Sequence, residues 1–314
     1  MIQEDLGAFG IAGDSSVIRD LRQTIRDAAT SPYPVLVEGE SGSGKELVAS
    51  AVHRLSPRAA RPLCPLNCAA VTDELFEAEL FGFARGAFTG AVRERRGLFE
   101  EADSGAVFLD EVAELSARAQ AKLLRTLQEG EIRRLGENRP RRVDVRVIAA
   151  TNRPLAAEVD AGRFRRDLWY RLDVVRIAVP ALRDQPGDVR LLARRFWGEA
   201  ARAVGNCAVL DSEAIDVLTG YSWPGNVREL QNVMTALAVT GPRRGRVRAC
   251  NLPRVIADGR GRVALTLHEA RRTFERRHVR EALAQVGGHR GKAARALGVS
   301  RQGLAKLIKR LEVA

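Results

Sequence analysis

The chain has 314 residues, 45% of them hydrophobic and 29% charged, enough for two or three domains with a sizeable core. Its net charge of +12 points to a polyanionic partner. No run of eighteen apolar residues exists, and the start Met1-Ile2-Gln3-Glu4-Asp5 lacks a basic and then apolar leader. A membrane span and a signal peptide are therefore not expected, and the expected compartment is the cytoplasm. Cys64, Cys68, Cys207 and Cys250 form no metal-binding spacing and read as reduced thiols.

In chain order, residues 1–10 are a short lead. A helical pattern starts near Gly13 and runs through Val17, Ile18, Leu21 and Ile25 until Pro32 and Pro34 break it. Val35–Val37 reads as a buried strand entering a glycine-rich loop, and a helix with Leu47, Val48, Ala51 and Val52 follows. Further strands are expected at Ala106–Leu109, Val143–Ala150 and Val174–Val179, with a helix at Leu115–Glu129. Such alternation predicts an α/β fold, a parallel sheet with helices on both faces, over residues 11–180. Residues 181–256 read as all-helical, with pieces at Asp188–Ala203, Ser212–Thr219 and Asn226–Val239 and a turn-rich basic break at Gly241–Arg246. Residues 257–264 read as a linker, and residues 265–314 as a small helical unit.

The loop Gly39-Glu40-Ser41-Gly42-Ser43-Gly44-Lys45 satisfies G-x-x-x-x-G-K between a strand and a helix. Backbone amides there can cradle phosphates, Lys45 adds a charge for the β- and γ-phosphates, and the helix start adds its dipole. Glu46 stands where Ser or Thr usually touches Mg²⁺. The second element is Ala106-Val107-Phe108-Leu109-Asp110-Glu111. Asp110 is placed to organise Mg²⁺, and Glu111 to orient or deprotonate the attacking water. Together the two elements predict ATP and Mg²⁺ as ligands and ATP hydrolysis as the reaction. Thr151 or Asn152 either senses the γ-phosphate or simply ends a strand.

Residues 265–314 carry twelve Lys or Arg against four Glu, a surplus of +8. Lys292–Leu297, the turn Gly298-Val299-Ser300 and Arg301–Leu311 fit a helix-turn-helix, with Ser300 as N-cap. Leu304, Leu307, Ile308 and Leu311 face inward, while Arg301, Gln302, Lys306, Lys309 and Arg310 face DNA.

These motifs resemble the bacterial enhancer-binding proteins, AAA+ ATPases that activate RNA polymerase carrying sigma-54. The resemblance covers roughly Gly13 to Val313. Its most specific element is the hexapeptide Gly86-Ala87-Phe88-Thr89-Gly90-Ala91, which in the family tips a loop that touches sigma-54. Glu46 is normal for the family. The resemblance further implies that Asn67 is a switch partner of Glu111. Arg165 and Arg171, within Phe164–Leu172, become arginine fingers for a neighbouring subunit, although Arg166 replaces the family's Glu. Arg228, in Trp223–Leu230, becomes the lid's sensor of nucleotide. The stretch Glu129–Arg142 resembles a second moving loop. The C-terminal unit resembles a Fis-type domain, from which Gly303 and Ala305 depart.

The implied function is a sigma-54-dependent activator. It binds enhancer DNA, assembles into a hexameric ring with a dimer as the resting alternative, and hydrolyses ATP to remodel the closed promoter complex. The alternative is a DNA-binding regulator whose ATPase domain is only a ligand-sensing or oligomerising scaffold. With about ten residues ahead of the α/β region, control by a separate regulatory protein, self-regulation and a shortened product all stay open.

Overall fold

The computed structural model describes residues 9–70, 73–88, 91–257, 275, 278–279, 282–283 and 289–311. The chain forms two compact units, residues 1–261 and 262–314.

The first unit opens with α1 (Ser16–Thr30), whose N-cap Ser15 accepts from the Ile18 amide at 3.3 Å. Its Ile18, Leu21 and Ile25 are buried at helical spacing. Strand β1 (Val35–Glu38) then leads through the glycine-rich loop into α2 (Lys45–Arg54). Next come β2 (Leu63–Asn67) and α3 (Asp73–Phe81), followed by a hairpin of β3 (Gly82–Phe83) and β4 (Arg95–Arg96). After α4 (Leu98–Glu101) the chain forms β5 (Ala106–Asp110) and α5 (Ala117–Glu129). A second hairpin pairs β6 (Glu131–Ile132) with β7 (Arg141–Arg142), ahead of β8 (Arg146–Thr151). Helices α6 (Leu155–Asp160) and α7 (Arg166–Leu172) and strand β9 (Val175–Ala178) complete this part.

The main sheet is all parallel, in the order β2-β5-β8-β1-β9. Successive side chains of one strand point to opposite faces. Val35 and Val37 therefore join a core with Ile25 and Val52, while Leu36 joins one with Phe76, Phe99 and Leu123. Burial on both faces explains the unbroken apolar runs.

Two strands differ from expectation. β2 was not foreseen: Pro65 argues against a central strand, and β2 pairs only with β5, at the sheet edge. β8 begins at Arg146, not Val143, because the Val143 amide donates to Gly130 O at the base of the second hairpin. Arg146 itself is buried and donates to the carbonyls of Ala28, Ala29 and Tyr33 at 2.6, 3.1 and 3.2 Å. It thereby satisfies orphan groups at the end of α1.

Residues 182–257 form a further core around Trp197, Trp223, Leu230 and Met234. Its helices are α8 (Pro186–Ala203), α9 (Ser212–Thr219), α10 (Asn226–Thr240) and α11 (Arg254–Ala257). Pro186 sits in the first turn of α8, where its missing amide costs nothing. This region is not purely helical: β10 (Val209–Leu210) pairs in parallel with β11 (Arg246–Val247). Asp188 of α8 accepts from the Asp14 and Ser15 amides at 2.7 and 3.1 Å, which ties the lid to the start of α1.

In the second unit, helices Arg290–Ala296 and Arg301–Leu311 flank a turn in which Gly298 has φ 65°. Ala293, Ala294, Leu304 and Val279 form its core. The linker beyond Ala257, and most of residues 265–288 of the small helical unit, lie outside the described residues. All four cysteines are free, and burial pushes the Cys68 thiol up to about 12.

Candidate functional site

The parallel sheet delivers the ends of β1, β5 and β8 to one edge, where crevices of α/β folds bind ligands. There Gly42 and Gly44 adopt φ 74° and 103°, a region costly for residues with a Cβ. A Cβ on Gly42 would also lie 2.4 Å from Gly225 O. Lys45 is 6% exposed, and its Nζ donates to Gly39 O at 3.0 Å and to Glu40 O at 3.4 Å. The same Nζ lies 3.5 Å from Glu111 Oε1, which joins the two predicted elements. Ser41 and Glu46 are exposed at the loop's rim.

Asp110 ends β5, and Glu111 follows in the left-handed region at φ 54°. The Glu111 amide donates to Asp110 Oδ1 at 3.1 Å, and Glu111 Oε2 accepts from the Asn152 amide at 3.0 Å. Glu111 is thus aimed by its backbone and held from two sides, a strained arrangement typical of working sites. Burial and then the Glu111 charge raise the Asp110 pKa, with Lys45 opposing.

Asn67 is the register partner of Asp110 on β2, but its Oδ1 accepts from the Ala69 amide at 2.9 Å and no bond joins it to Glu111. Thr151 is fully buried, and its hydroxyl exchanges bonds with Arg153 in a turn. Of the pair Thr151 and Asn152, only Asn152 reaches the acidic residues, through its backbone amide.

The lid grips the phosphate loop directly. The Arg228 amide donates to Gly42 O at 3.3 Å, and Arg228 Nη1 lies 3.4 Å from Ser41 Oγ. Asn226 has φ 52° and is fully buried. Its Nδ2 donates to Glu40 Oε2 at 3.1 Å and Ser41 O at 3.0 Å, while its Oδ1 accepts from the Leu182 amide at 2.8 Å. Arg183 Nη1 donates to Glu40 Oε2 at 2.8 Å. Those bonds, Arg183 first and Asn226 second, hold the Glu40 carboxyl down at about 2. Sequence reasoning missed Arg183 and gave Asn226 no role beyond starting a helix.

Arg165 and Arg171 are exposed at the two ends of α7. Arg165 pairs with Asp167 at 2.7 Å, and Arg171 donates to Leu127 O at 2.9 Å. Among the described residues no bond links either to Lys45, Asp110 or Glu111.

The hexapeptide caps the first hairpin. The Gly86 amide donates to Ala91 O at 2.9 Å, and the Ala91 amide to Phe88 O at 3.0 Å. Phe88 is 47% exposed and meets Phe83 edge-on at 5.0 Å. Thr89 and Gly90 lie outside the described residues. The second hairpin stands against this one: Ala84 N donates to Leu135 O and Leu135 N to Gly82 O, both at 2.9 Å. A Cβ on Gly136 would come within 2.9 Å of Ala87 Cβ.

In the C-terminal unit, Ser300 Oγ accepts from the Gly303 amide at 2.9 Å as an N-cap. Arg301, Gln302 and Lys306 are exposed opposite buried Leu304. Lys309 and Arg310 lie on the same helix.

A nucleoside triphosphate and Mg²⁺ fit the first site. The Ser43 hydroxyl is buried without a partner in the phosphate loop, the Lys45 amine is on hand, and the Asp110–Glu111 pair is crowded enough for a cation to relieve.

The fold and site define an AAA+ nucleotide-binding module with a helical lid, accompanied by a helix-turn-helix. Residues 11–178 match the sigma-54 interaction domain, residues 183–265 the AAA+ ATPase lid domain, and residues 270–311 the Fis family of bacterial regulatory proteins. The chain belongs to the sigma-54 activator family. It is 44% identical over 319 residues to the Nif-specific regulatory protein of Azotobacter vinelandii, covering 99% of this chain and 61% of that protein. It is 45% identical to the transcriptional regulatory protein ZraR of Escherichia coli K12, covering 94% of this chain and 67% of that one. The crystal structure of Brucella abortus NtrX in complex with ATP superposes with a TM-score of 0.73 at 35% identity, over 96% of this chain and 69% of that one. The chain thus spans about three fifths of the A. vinelandii relative's length.

Proposed function

We propose that this chain is an ATP-driven activator of sigma-54 RNA polymerase. Residues 11–180 are its motor, 181–256 the lid, 257–264 a linker, and 265–314 the enhancer-DNA reader. The observation that carries this reading is the Lys45–Glu111 contact, which unites phosphate loop and acidic strand end, in a chain that also holds the intact hexapeptide.

Lys45 and the loop amides bind the β- and γ-phosphates, and Asp110 would hold Mg²⁺, which would supply charge neutralisation. Glu111 orients the attacking water and accepts its proton. Arg165 and Arg171 stand exposed at the two ends of α7 and would exchange their present partners, Asp167 and Leu127 O, for a neighbour's site in a ring, a hexamer in the active state. Asn67 and Asn152 flank the acidic pair, and Arg228 reports on the nucleotide from the lid. Hydrolysis moves Gly86–Ala91 against sigma-54 through the helix and strand joined to it. No helix among the described residues is long and apolar enough to cross a membrane, and we place the protein in the cytoplasm.

The scaffold reading predicts no turnover and no sigma-54 contact. The test is binding of purified sigma-54 in the presence of ADP with a γ-phosphate mimic. The wild type should form the complex and Thr89→Ala should not. Equal binding by both proteins, or by neither, would defeat the proposal.

A further inference from the structure

Within the lid, positive charge gathers in one place. Residues 1–180 hold twenty-six Lys or Arg against twenty-seven Asp or Glu, and residues 181–257 hold eleven against seven. Four of those eleven are Arg243, Arg244, Arg246 and Arg248, in a stretch with no acidic residue. Without that turn the lid balances at seven against seven, so the turn holds the lid's entire surplus.

The turn is a fixed platform. Its backbone accepts from the amides of Cys207, Val209 and Asp211 at Arg243 O, Gly245 O and Val247 O, at 3.0, 2.9 and 2.9 Å. Asn206 is buried, and its Nδ2 ties down Ala238 O and Pro242 O at 2.9 and 3.1 Å while its Oδ1 accepts from the Ala208 amide. Val247 and Leu252 anchor the stretch in the lid core.

The four arginine side chains stand exposed above this base. Arg243 spends one Nη1 bond on Val204 O at 3.1 Å. Arg246 lies 3.6 Å from Asp211 and remains 73% exposed. Arg244 and Arg248 form no ion pair among the described residues. Like charges held close on a rigid turn repel one another, and a polyanion laid across them would relieve that repulsion. A guanidinium matches a phosphate bidentately, and duplex DNA presents a phosphate charge about every 1.7 Å of axis. Through its own helix-turn-helix the chain holds such a duplex at high effective concentration.

We propose that the Arg243–Arg248 turn of the lid is a second, sequence-independent DNA contact that grips backbone phosphates. The proposal rests on the reading of the C-terminal unit as a DNA binder, and not on the ATPase.

The test titrates the full-length chain with a short duplex of arbitrary sequence across a salt series. It compares the wild type with Arg243→Gln/Arg244→Gln/Arg248→Gln and with Arg301→Ala/Lys306→Ala. Each lost phosphate contact should flatten the slope of log affinity against log salt by about 0.9. The lid variant should therefore lose about 2 to 3 in slope, equally for every sequence, with DNA-free ATP turnover unchanged. Should the triple variant fold poorly, Arg244→Glu alone, at an exposed residue with no side-chain bond among the described residues, should still flatten the slope. A lid variant with the wild-type slope, beside a helix variant that loses slope, would overturn the lid contact and spare the helix-turn-helix. A wild type that binds no duplex at low salt would sink both. Unchanged DNA binding with lost transcription would assign the turn to an acidic protein and refute the proposal.

Discussion

Glu40 of the phosphate loop and Arg183 at the start of the lid are joined by a carboxylate–guanidinium pair, Nη1 to Oε2 at 2.8 Å, across 143 residues of sequence. Asn226, from a third segment, donates to the same oxygen at 3.1 Å. The glycine-rich loop and the lid therefore share one carboxylate.

Glu40 in the folded chain titrates at about 2, below its ordinary 4.5. Its contribution to stability is present above pH 4.5 and is lost as pH falls toward 2. Because the pair is partly exposed, that contribution is small, under about 1 kcal/mol. Arg183→Gln should remove the larger part of it and leave the Asn226 share. The difference in melting temperature between wild type and variant should shrink between pH 5 and 2, as thermal scans at matched ionic strength will show. A difference constant with pH would contradict the assignment.

Glu111→Gln should bind nucleotide about as well as wild type and turn it over 10² to 10⁴-fold more slowly, about the range for loss of a general base. Lys45→Ala should lose nucleotide binding itself. Equilibrium titration with a fluorescent ATP analogue, beside a phosphate-release assay, separates the two defects.

Arg171→Ala and Glu111→Gln should each be inactive alone and regain turnover when mixed. In a ring, an intact Glu111 in one subunit meets an intact Arg171 from the next. Mixing at several ratios and measuring phosphate release decides this, and inactivity at every ratio argues against shared sites.

Gly136→Ala should disturb the two hairpins. The new Cβ would press on Ala87 at 2.9 Å, and Gly136 has φ 75°. We expect a cost of about 1 kcal/mol or more, with sigma-54 binding reduced and basal ATP turnover nearly preserved. Denaturant unfolding and a sigma-54 pull-down read the two effects separately.

Contiguous motifs were the legible part of this chain. Gly39–Lys45, Ala106–Glu111 and Gly86–Ala91 each carry their chemistry within a few adjacent residues, and the apolar strands that position them stand out because both faces of the sheet are buried. Arg183 and Asn226 were not legible, since their meaning lies in bonds to Glu40 from far along the chain. β2 escaped because Pro65 disguises an edge strand, and β10 and β11 because two residues each leave no periodicity. The start of β8 was misjudged because Val143 and Val145 extend its apolar run, while the Val143 amide is bound to Gly130 O at the base of the second hairpin. Of Thr151 and Asn152, sequence offered no choice; the backbone turn at Arg153 takes the Thr151 hydroxyl and leaves the Asn152 amide facing Glu111.

The central claim is that hydrolysis at Lys45, Asp110 and Glu111 drives promoter opening. Its most direct test is transcription in vitro from a sigma-54 promoter with sigma-54 holoenzyme. The account predicts full-length transcript with wild-type protein and ATP, and none with Glu111→Gln or with a non-hydrolysable ATP analogue. Transcript of equal yield without hydrolysis, or none under any condition from protein that binds both ATP and sigma-54, would contradict it.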